Sequence, residues 1–216
     1  MIHRTHLSAV FFDFDGVIAD SLTVKKDAFA TLFASYGRPI QDAVVRYHEA
    51  HGGMPRQEKL RHCLEAIACV KATNERVAEL AAAFSNLVFQ KVIEAPLMPG
   101  ARECLKGLQS AGIPAFIVSG TPQEEMHEIV QAKELVPFFC EVHGSPRIKA
   151  VIINDILTRF QLSSTNCLFL GDALADYEAT LACGLHFLGI VPEGRENIFP
   201  DAVTISSQVD SLNWPF

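Results

Sequence analysis

The chain carries AVFFDFDG at residues 9–16, an apolar run that ends in two carboxylates and a glycine. Residues 9–14 predict a short strand that is buried on both faces, as in a parallel sheet. Asp13 and Asp15 are two residues apart, so their side chains point to the same face of such a strand. Because ligands of open α/β sheets bind at the carboxyl ends of the strands, we expect both carboxylates in a crevice. Gly16 then permits a sharp turn and the close approach of a ligand.

Two carboxylates in such proximity repel each other, and there are two ways to relieve the repulsion. A bound cation would do so, or one carboxyl would stay protonated and act as an acid. The alternative is that Asp13 and Asp15 are turn and capping residues. We favour a functional site because the two carboxylates flank an aromatic residue at the end of an otherwise apolar strand.

The rest of the chain divides into two parts of different pattern. The first part, residues 21–95, shows no convincing strand; its predicted helices are 22–36, 55–69 and one capped by Asn74, with an unclear stretch at 41–54. From Pro96 onward, apolar strands alternate with helices, which is typical of a parallel doubly wound sheet. The predicted strands are 114–118, 139–143, 167–170, 186–191 and 202–205, and the predicted helices are 100–110, 122–133, 148–160 and 173–183.

This alternation assigns the first strand to the sheet of the second part, since one strand cannot form a sheet alone. We therefore predict an α/β fold with a doubly wound, Rossmann-like core made of residues 1–20 and 96–216. Residues 21–95 are then a helical insertion between the first strand and the rest of the sheet.

Charge and hydropathy exclude several classes of function. Among 216 residues, 18 are Lys or Arg and 25 are Asp or Glu, and no basic face of the kind that binds nucleic acid is evident. No apolar run approaches the ~20 residues that span a bilayer, and the first residues lack a signal-peptide pattern. We expect a cytoplasmic protein with no nucleic-acid or membrane partner. The six cysteines form no Cys-x-x-Cys pair and are expected to be buried, reduced thiols.

The end of the second predicted core strand offers a hydroxyl. Ser119 lies just before a predicted helix N-terminus, where free backbone N–H groups favour an anion. Thr121 and Glu124 have the spacing of a capping box, with Pro122 at the first helical position, so a structural role explains Thr121.

Two further strand ends add charged groups. Asp172 stands at a predicted N-cap and Asp176 one turn later, and helix capping explains both as well as a functional role does. Lys149 lies in the first turn of a predicted helix, where a cation is unfavourable, and this favours a functional role; Arg147 competes for it. Together the strand ends provide a nucleophile, oxygen ligands for a metal and a cation, which fits phosphoryl transfer.

Four segments of the chain form an ordered set of motifs: FFDFDGVIADS at 11–21, IVSGT at 117–121, GSPRIK at 144–149 and GDALAD at 171–176. In order and spacing they resemble the four motifs of the haloacid dehalogenase superfamily of hydrolases. The helical insertion stands where that superfamily has its small helical cap domain. The resemblance is to the branch of phosphatases and phosphoglucomutases, the phosphoglycolate phosphatase and β-phosphoglucomutase type.

The resemblance implies a role for each matching residue. Asp13 would be the nucleophile that forms an aspartyl-phosphate, and Asp15 would be the general acid and base. Ser119 would hold a phosphate oxygen together with the N–H of Gly120, and Lys149 would neutralise the phosphate.

The same resemblance implies Mg²⁺ as the cofactor. It would be held by the Asp13 carboxylate, the backbone carbonyl of Asp15 and Asp172, with Asp176 acting through water or by positioning a ligand. Dehalogenases of the superfamily lack a carboxylate at the position of Asp15, and transport ATPases carry Thr there, so both are disfavoured.

The insertion is expected to set specificity. Arg56 follows its one glycine-rich turn and, with Gly120 and Thr121, is a candidate substrate contact; an exposed first-turn arginine is the alternative. Phosphonate hydrolases need a lysine in the cap, but Lys25 and Lys26 have the pattern of a solvated helix face.

These inferences predict a Mg²⁺-dependent phosphatase that acts on a small phosphorylated metabolite, such as a sugar phosphate, through an aspartyl-phosphate. A phosphosugar mutase and a non-catalytic module that is phosphorylated on Asp remain as alternatives. Fold and core chemistry do not name the substrate.

Overall fold

The computed structural model describes residues 7–209 and contains one parallel sheet of six strands. Along the sheet the strands follow the order β3-β2-β1-β4-β5-β6, so the first strand of the chain lies at the centre. The predicted doubly wound α/β fold is therefore confirmed. The strands are β1 (Ala9–Phe12), β2 (Ala115–Pro122), β3 (Glu141–Ser145), β4 (Cys167–Gly171), β5 (His186–Ile190) and β6 (Ile205–Ser206).

Eight α-helices accompany the sheet within the described residues. Four of them lie between β1 and β2 along the chain, in the segment predicted as an insertion: α1 (Leu22–Leu32), α2 (Arg38–Ala50), α3 (Arg56–His62) and α4 (Asn74–Glu94). The other four connect or precede core strands: α5 (Ala101–Ala111), α6 (Gln123–Ala132), α7 (Lys149–Arg159) and α8 (Leu174–Cys183). None of the helices described is long and apolar enough to cross a membrane.

The central strand β1 is buried on both faces, as its sequence predicts. Val10 and Phe12 pack into one apolar cluster, whereas Phe11 belongs to a second cluster on the opposite face of the sheet. On that second face the rings of Phe11 and Phe116 stack with their centroids 5.1 Å apart. Alternation along a strand explains this division, and it fixes the direction in which Asp13 leaves β1.

The inserted helices share the first of these clusters with the sheet. Phe29 of α1 and Phe84 of α4 are buried in it, with ring centroids 4.9 Å apart. The division into a core of 1–20 and 96–216 and a separate domain of 21–95 stays a prediction, and its ends at 1–6 and 210–216 lie outside the described residues.

Several predicted boundaries were wrong. A helix, α2, covers most of the unclear stretch 41–54, and Pro39 in its first turn explains how the segment begins. The predicted helix 22–36 ends at Leu32 and continues as a 3₁₀ turn, and the helix 55–69 changes to a π turn at Cys63–Ile67. Thr73, not Asn74, caps α4, because its hydroxyl accepts the backbone N–H of Arg76 at 3.3 Å.

Two edge strands were also shifted relative to their predictions. Residues 136–138 form a 3₁₀ turn, which moves β3 to Glu141–Ser145 rather than 139–143. The last strand is Ile205–Ser206 rather than 202–205. Edge strands are short and half-exposed, so their apolar pattern is weaker than that of β1.

None of the six cysteines, all of which lie in the described part of the chain, is in a disulfide. Cys63, Cys104 and Cys167 are buried, which agrees with the prediction of buried thiols. For Cys69 and Cys140 that prediction was wrong, because both are exposed.

Candidate active site

The site begins where the chain leaves β1. The Asp13 carboxylate accepts the backbone N–H of Phe14 at 2.7 Å, and its Oδ1 lies 3.1 Å from Lys149 Nζ. Gly16 turns the chain with φ +77°, and a Cβ at that position would lie 2.7 Å from Asp172 Oδ2. Glycine is therefore required there both by the backbone angle and by the space left to the neighbouring carboxylate.

Three carboxylates meet at this turn. Asp13, Asp172 and Asp176 each offer an oxygen atom, and these atoms lie within 4.8 Å of one another. Burial, followed by the neighbouring carboxylates, raises the pKa of Asp13 to about 7 and that of Asp172 well above its ordinary value. A hard divalent cation such as Mg²⁺ prefers oxygen ligands, and its charge would offset the repulsion among these carboxylates. The residues present therefore fit that ion.

Lys149 is the ammonium that contacts this group. It is the first residue of α7, it is buried, and its Nζ donates to Asp176 Oδ1 at 2.5 Å in addition to its contact with Asp13. Burial would lower the pKa of Lys149, but the two carboxylates raise it above its ordinary value. Arg147 instead pairs with Asp155 at 3.1 Å near the surface. Of the two predicted candidates, the structure brings Lys149 and not Arg147 to the carboxylates.

Asp176 is fully buried, and both of its oxygens have partners within the protein. Oδ1 accepts from Lys149, and Oδ2 accepts the backbone N–H of Ala173 at 3.2 Å. Ala173 is the N-cap of α8, so the prediction that Asp172 occupies this N-cap was wrong. Asp172 is half-buried and lines a cavity, with its carboxylate beside the turn at Gly16.

The Asp15 side chain has a different set of partners from that of Asp13. Its Oδ1 accepts from Ser21 Oγ at 2.6 Å, and its Oδ2 accepts from Lys25 Nζ and from Thr121 Oγ1, the latter at 3.1 Å. Burial raises the pKa of Asp15, but the Lys25 charge and the hydrogen bonds outweigh it and hold the pKa below its ordinary value. The two motif carboxylates thus have pKa values that are shifted in opposite directions, upward for Asp13 and downward for Asp15.

The prediction that Lys25 belongs to a solvated helix face was wrong. Its side chain is 14% exposed and contacts Asp15, whereas Lys26 pairs with Glu49 at 2.8 Å with both groups well exposed. The signal that could have found it is its position one helical turn after Ser21, whose carbonyl accepts the Lys25 N–H at 3.1 Å.

Thr121 also differs from the capping role that its sequence suggested. The N-cap of α6 is Pro122, with no side-chain cap hydrogen bond, and the Thr121 hydroxyl instead accepts from Lys25 at 2.8 Å and donates to Asp15. Ser119 is buried behind it, and its Oγ accepts the Thr121 N–H at 3.2 Å. The structure therefore brings Thr121 to the cavity wall, whereas Ser119 is buried and is not among the residues that line the cavity.

A glycine turn of the inserted segment packs directly on the strand ends. A Cβ at Gly120 would lie 2.7 Å from the carbonyl oxygen of Gly53, and a Cβ at Gly52 would lie 2.8 Å from the Cβ of Ala173. Gly53 itself has φ +72°, and a Cβ there would lie 3.5 Å from Lys149 Nζ. The turn therefore covers the carboxylate group from the side opposite the sheet.

Between the sheet and the inserted helices lies a cavity of about 510 Å³, a volume that suits a small metabolite. Its sheet side is formed by the predicted residues Asp13, Asp15, Gly120, Thr121 and Asp172. Its other side includes Lys25, Phe29, His48, Arg56, Lys59 and Phe84. His48 and Lys59 could not be predicted from the sequence pattern, because they reach the cavity only through the docking of α2 and α3.

Arg56 is buried rather than exposed, and its guanidinium is already bonded. It donates to both carboxylate oxygens of Glu125 at 2.8 and 2.6 Å and to Ser85 at 2.5 Å, and it lies over the Phe84 ring. The pair joins α3 of the insertion to α6 of the core. Arg56 lines the cavity, but its charge is matched within the protein.

Comparisons with known proteins agree with this geometry. The sequence model of haloacid dehalogenase-like hydrolases matches residues 7–184. A phosphorylated carbohydrates phosphatase of Thermotoga maritima is 24% identical over 96% of this chain and 97% of its own length. A phosphoglycolate phosphatase of Pseudomonas savastanoi pv. phaseolicola is 26% identical over 82% of this chain and 66% of its own. The structure of a β-phosphoglucomutase of Clostridium difficile superposes with a TM-score of 0.72 at 20% identity, covering 85% of this chain and 84% of that one.

Proposed function

The chain belongs to the haloacid dehalogenase-like hydrolase family, and from that premise we propose that it is a phosphatase that hydrolyses a small phosphomonoester through an aspartyl-phosphate on Asp13. The observation that carries the proposal is the setting of Asp13, which lines the cavity, contacts the Lys149 ammonium and lies beside Asp172 and Asp176. The names of the two curated relatives support phosphorylated metabolites as the substrate class.

The first chemical step transfers the phosphoryl group to the protein. An oxygen of the Asp13 carboxylate attacks phosphorus while the bond between phosphorus and the ester oxygen breaks. Asp15 gives the departing oxygen the proton that it took from water in the second step of the preceding turnover. Lys149 offsets the negative charge that gathers on the phosphoryl oxygens, and Ser119 with the Gly120 N–H binds one of them.

The second step returns the protein to its starting state. A water molecule attacks phosphorus, Asp15 takes its proton, and the bond between phosphorus and Asp13 breaks to release inorganic phosphate. The ionised form of Asp15 is the one this step needs, and Lys25, Ser21 and Thr121 stabilise that form.

Mg²⁺ is the cofactor that we assign to this site. The carboxylates of Asp13 and Asp172 and the backbone carbonyl of Asp15 would hold it, with Asp176 positioning a ligand or acting through water. When bound it would withdraw electron density from the phosphoryl oxygens and offset the repulsion among the buried carboxylates.

We assign residues 21–95 to a cap domain that closes over a core of 1–20 and 96–216. The glycine turn at Gly52 and Gly53 would then exclude water from the reaction, and Thr121 and Arg56 would border the substrate. A mutase requires the aspartyl-phosphate to survive until a second transfer. The curated relatives are named phosphatases, so hydrolysis is the function that we propose first.

The test is the release of phosphate from a panel of phosphomonoesters, with Mg²⁺ and after its removal by a chelator. The variant is Asp13→Asn, and the matched control is Asp201→Asn, an exposed aspartate that is not among the residues lining the cavity. We expect Mg²⁺-dependent turnover that is lost in Asp13→Asn and kept in the control. A stable phosphorylated Asp13 without turnover would instead support a mutase or a binding module. If the protein shows no turnover and Asp13 is not phosphorylated, the proposal is overturned.

A further inference from the structure

Lys59 is a buried ammonium on the inserted side of the cavity. Its residue is 3% exposed, and it lines the same cavity as Asp13. Its Nζ lies 3.2 Å from His48 Nδ1, 3.5 Å from the His48 carbonyl oxygen and 5.8 Å from the centre of the Phe29 ring. These contacts hold the side chain in one position at the cavity wall.

All three groups that Lys59 contacts are uncharged. Burial, followed by the neighbouring Lys59 charge, lowers the pKa of His48 to about 2, so its imidazole is neutral and Nδ1 accepts from the ammonium. No carboxylate lies within 4 Å of Lys59 Nζ in the part of the chain that the structure describes. The positive charge of Lys59 therefore has neutral hydrogen-bond acceptors but no counter-ion.

Three other cations that line the cavity are matched within the protein, and a fourth, Arg195, is exposed to solvent. Lys25 pairs with Asp15, and Arg56 pairs with Glu125. Lys26 pairs with Glu49 close to solvent. Among these cavity cations, Lys59 is thus the one whose charge is desolvated and unmatched.

An ammonium in this setting is costly, because it has lost water without gaining an opposite charge. The cost is visible in its pKa, which burial and the Lys25 charge lower to about 8. A ligand anion in the cavity would supply the missing charge. Lys59 and Asp13 line the same cavity of about 510 Å³, so one small molecule can contact both walls.

We propose that Lys59 is a specificity-determining residue that binds a second anionic group of the substrate, a carboxylate or a second phosphate, while the reacting phosphate lies at Asp13. This inference rests on the proposed phosphatase function and narrows its substrate class. It predicts a lower kcat/KM for sugar monophosphates, which have no second anionic group, than for phosphorylated acids and bisphosphates.

The test compares esters that differ in the second group. The first pair is 3-phosphoglycerate and glycerol 3-phosphate, which exchange a carboxylate for a hydroxymethyl group; the second is fructose 1,6-bisphosphate and fructose 6-phosphate. In Lys59→Met we expect kcat/KM for the preferred doubly anionic ester to fall about 10- to 100-fold, as lost charge-assisted hydrogen bonds predict. For the ester without a second anionic group, kcat/KM should change less than about twofold, and Lys59→Arg, which keeps the positive charge, should keep the preference.

The matched control is Lys71→Met, an exposed lysine in the same inserted segment. An unchanged ratio between paired esters in a folded Lys59→Met protein would overturn the proposal. An equal loss for both esters would also do so, because it would indicate a purely structural role. The two pairs distinguish a carboxylate from a second phosphate as the preferred group.

Binding without turnover separates this inference from the proposed function. Calorimetric titration of Asp13→Asn with 3-phosphoglycerate, glycerol 3-phosphate and the two fructose phosphates measures the preference directly. We expect the preference to be present in Asp13→Asn and absent in the double variant Asp13→Asn, Lys59→Met. If the wild type hydrolyses no ester but this binding difference remains, the function fails and the Lys59 site stands.

Discussion

Lys25 and Asp15 form a buried ion pair that joins the first inserted helix to the turn after the central strand. Lys25 also donates to Thr121 at 2.8 Å, and Thr121 donates to Asp15 at 3.1 Å, so the three side chains form a closed ring of hydrogen bonds. The ring lowers the pKa of Asp15 in a site where burial alone would raise it. In the proposed mechanism Lys25 is therefore a positioning residue for Asp15, the proposed general acid and base.

Replacing Lys25 by Met is predicted to slow the second chemical step more than the first. Without the ammonium, burial raises the pKa of Asp15, and a protonated carboxyl cannot take a proton from water. With p-nitrophenyl phosphate, whose leaving group needs little protonation, we expect a rapid burst of p-nitrophenolate followed by a steady rate lower by about tenfold or more. Stopped-flow absorbance measures both phases, and acid quenching measures the aspartyl-phosphate.

Lys26→Met is the matched control, because Lys26 is the adjacent lysine and pairs with Glu49 at the surface. Its burst and steady rate should equal those of the wild type. A Lys25→Met protein whose steady rate falls with no accumulated aspartyl-phosphate would contradict the assigned role.

Asp13→Asn is predicted to change the dependence of stability on pH. The pKa of Asp13 is about 7 in the folded state and 3.8 as an ordinary side chain, so the folded state binds more protons between these values. The free energy of unfolding of the wild type should therefore fall as pH rises from about 4 to 7, by a few kcal/mol relative to Asp13→Asn. Urea denaturation across this range, in a metal-free buffer, gives the difference.

Mg²⁺ provides the complementary measurement at pH 8. It binds the ionised carboxylates of the folded state, so it should raise the free energy of unfolding of the wild type more than that of Asp13→Asn. If the free energy of unfolding depends on pH in the same way in the two proteins, Asp13 does not carry the raised pKa. If Mg²⁺ raises the free energy of unfolding equally in both, Asp13 does not help to hold the ion.

The site residues that follow the core strands could be predicted from the sequence, because the carboxyl ends of parallel strands lie at one edge of the sheet. Asp13, Asp15, Thr121 and Asp172 line the cavity for this reason, and Lys149 contacts Asp13. Local capping rules were less reliable, since tertiary contacts turned Thr121 away from the helix that follows it.

The inserted side of the cavity could not be predicted in the same way. Lys25 and Lys59 have the spacing of ordinary surface lysines, and only the docking of helices α1 and α3 onto the sheet buries them. The partner of Arg56 is Glu125, 69 residues away along the chain. No local pattern links such residues, because their contacts arise from how two parts of the chain pack.

The Arg56 and Glu125 pair is predicted to stabilise the docking of the inserted segment. The two side chains are 6% and 10% exposed, so removing either one leaves a buried charge without a partner. We expect Glu125→Met or Arg56→Met alone to lower the free energy of unfolding by about 3–5 kcal/mol, and the double variant Arg56→Met, Glu125→Met to lower it by less than the sum. A double-mutant cycle by chemical denaturation measures the coupling.

This cycle also tests whether Arg56 contacts the substrate. If the guanidinium serves only the ion pair, the double variant should keep the KM of the wild type for its best ester. A large rise in KM in every variant that lacks Arg56, together with normal stability, would show that it binds the substrate instead.

Gly53→Ala is predicted to impair activity beyond its effect on stability. Gly53 has φ +72°, which alone costs an alanine about 1 kcal/mol, and the added methyl group would lie 3.3 Å from Ala175 Cβ and 3.5 Å from Lys149 Nζ. Because the turn covers the carboxylate group, moving it outward admits water and displaces the ammonium. We expect kcat to fall about tenfold or more, as a misplacement of about 1 Å in a catalytic group produces.

Gly194→Ala is the matched control, because Gly194 has φ +81° and nothing within 4 Å of an added Cβ. Both alanine variants carry the same kind of backbone strain, so thermal denaturation should give similar losses of stability. Only Gly53→Ala should lose turnover, measured at saturating ester and Mg²⁺. Equal activity in the two variants would mean that the turn at Gly53 does not need to rest on Lys149 during catalysis, and that the inserted segment covers the site without shaping it.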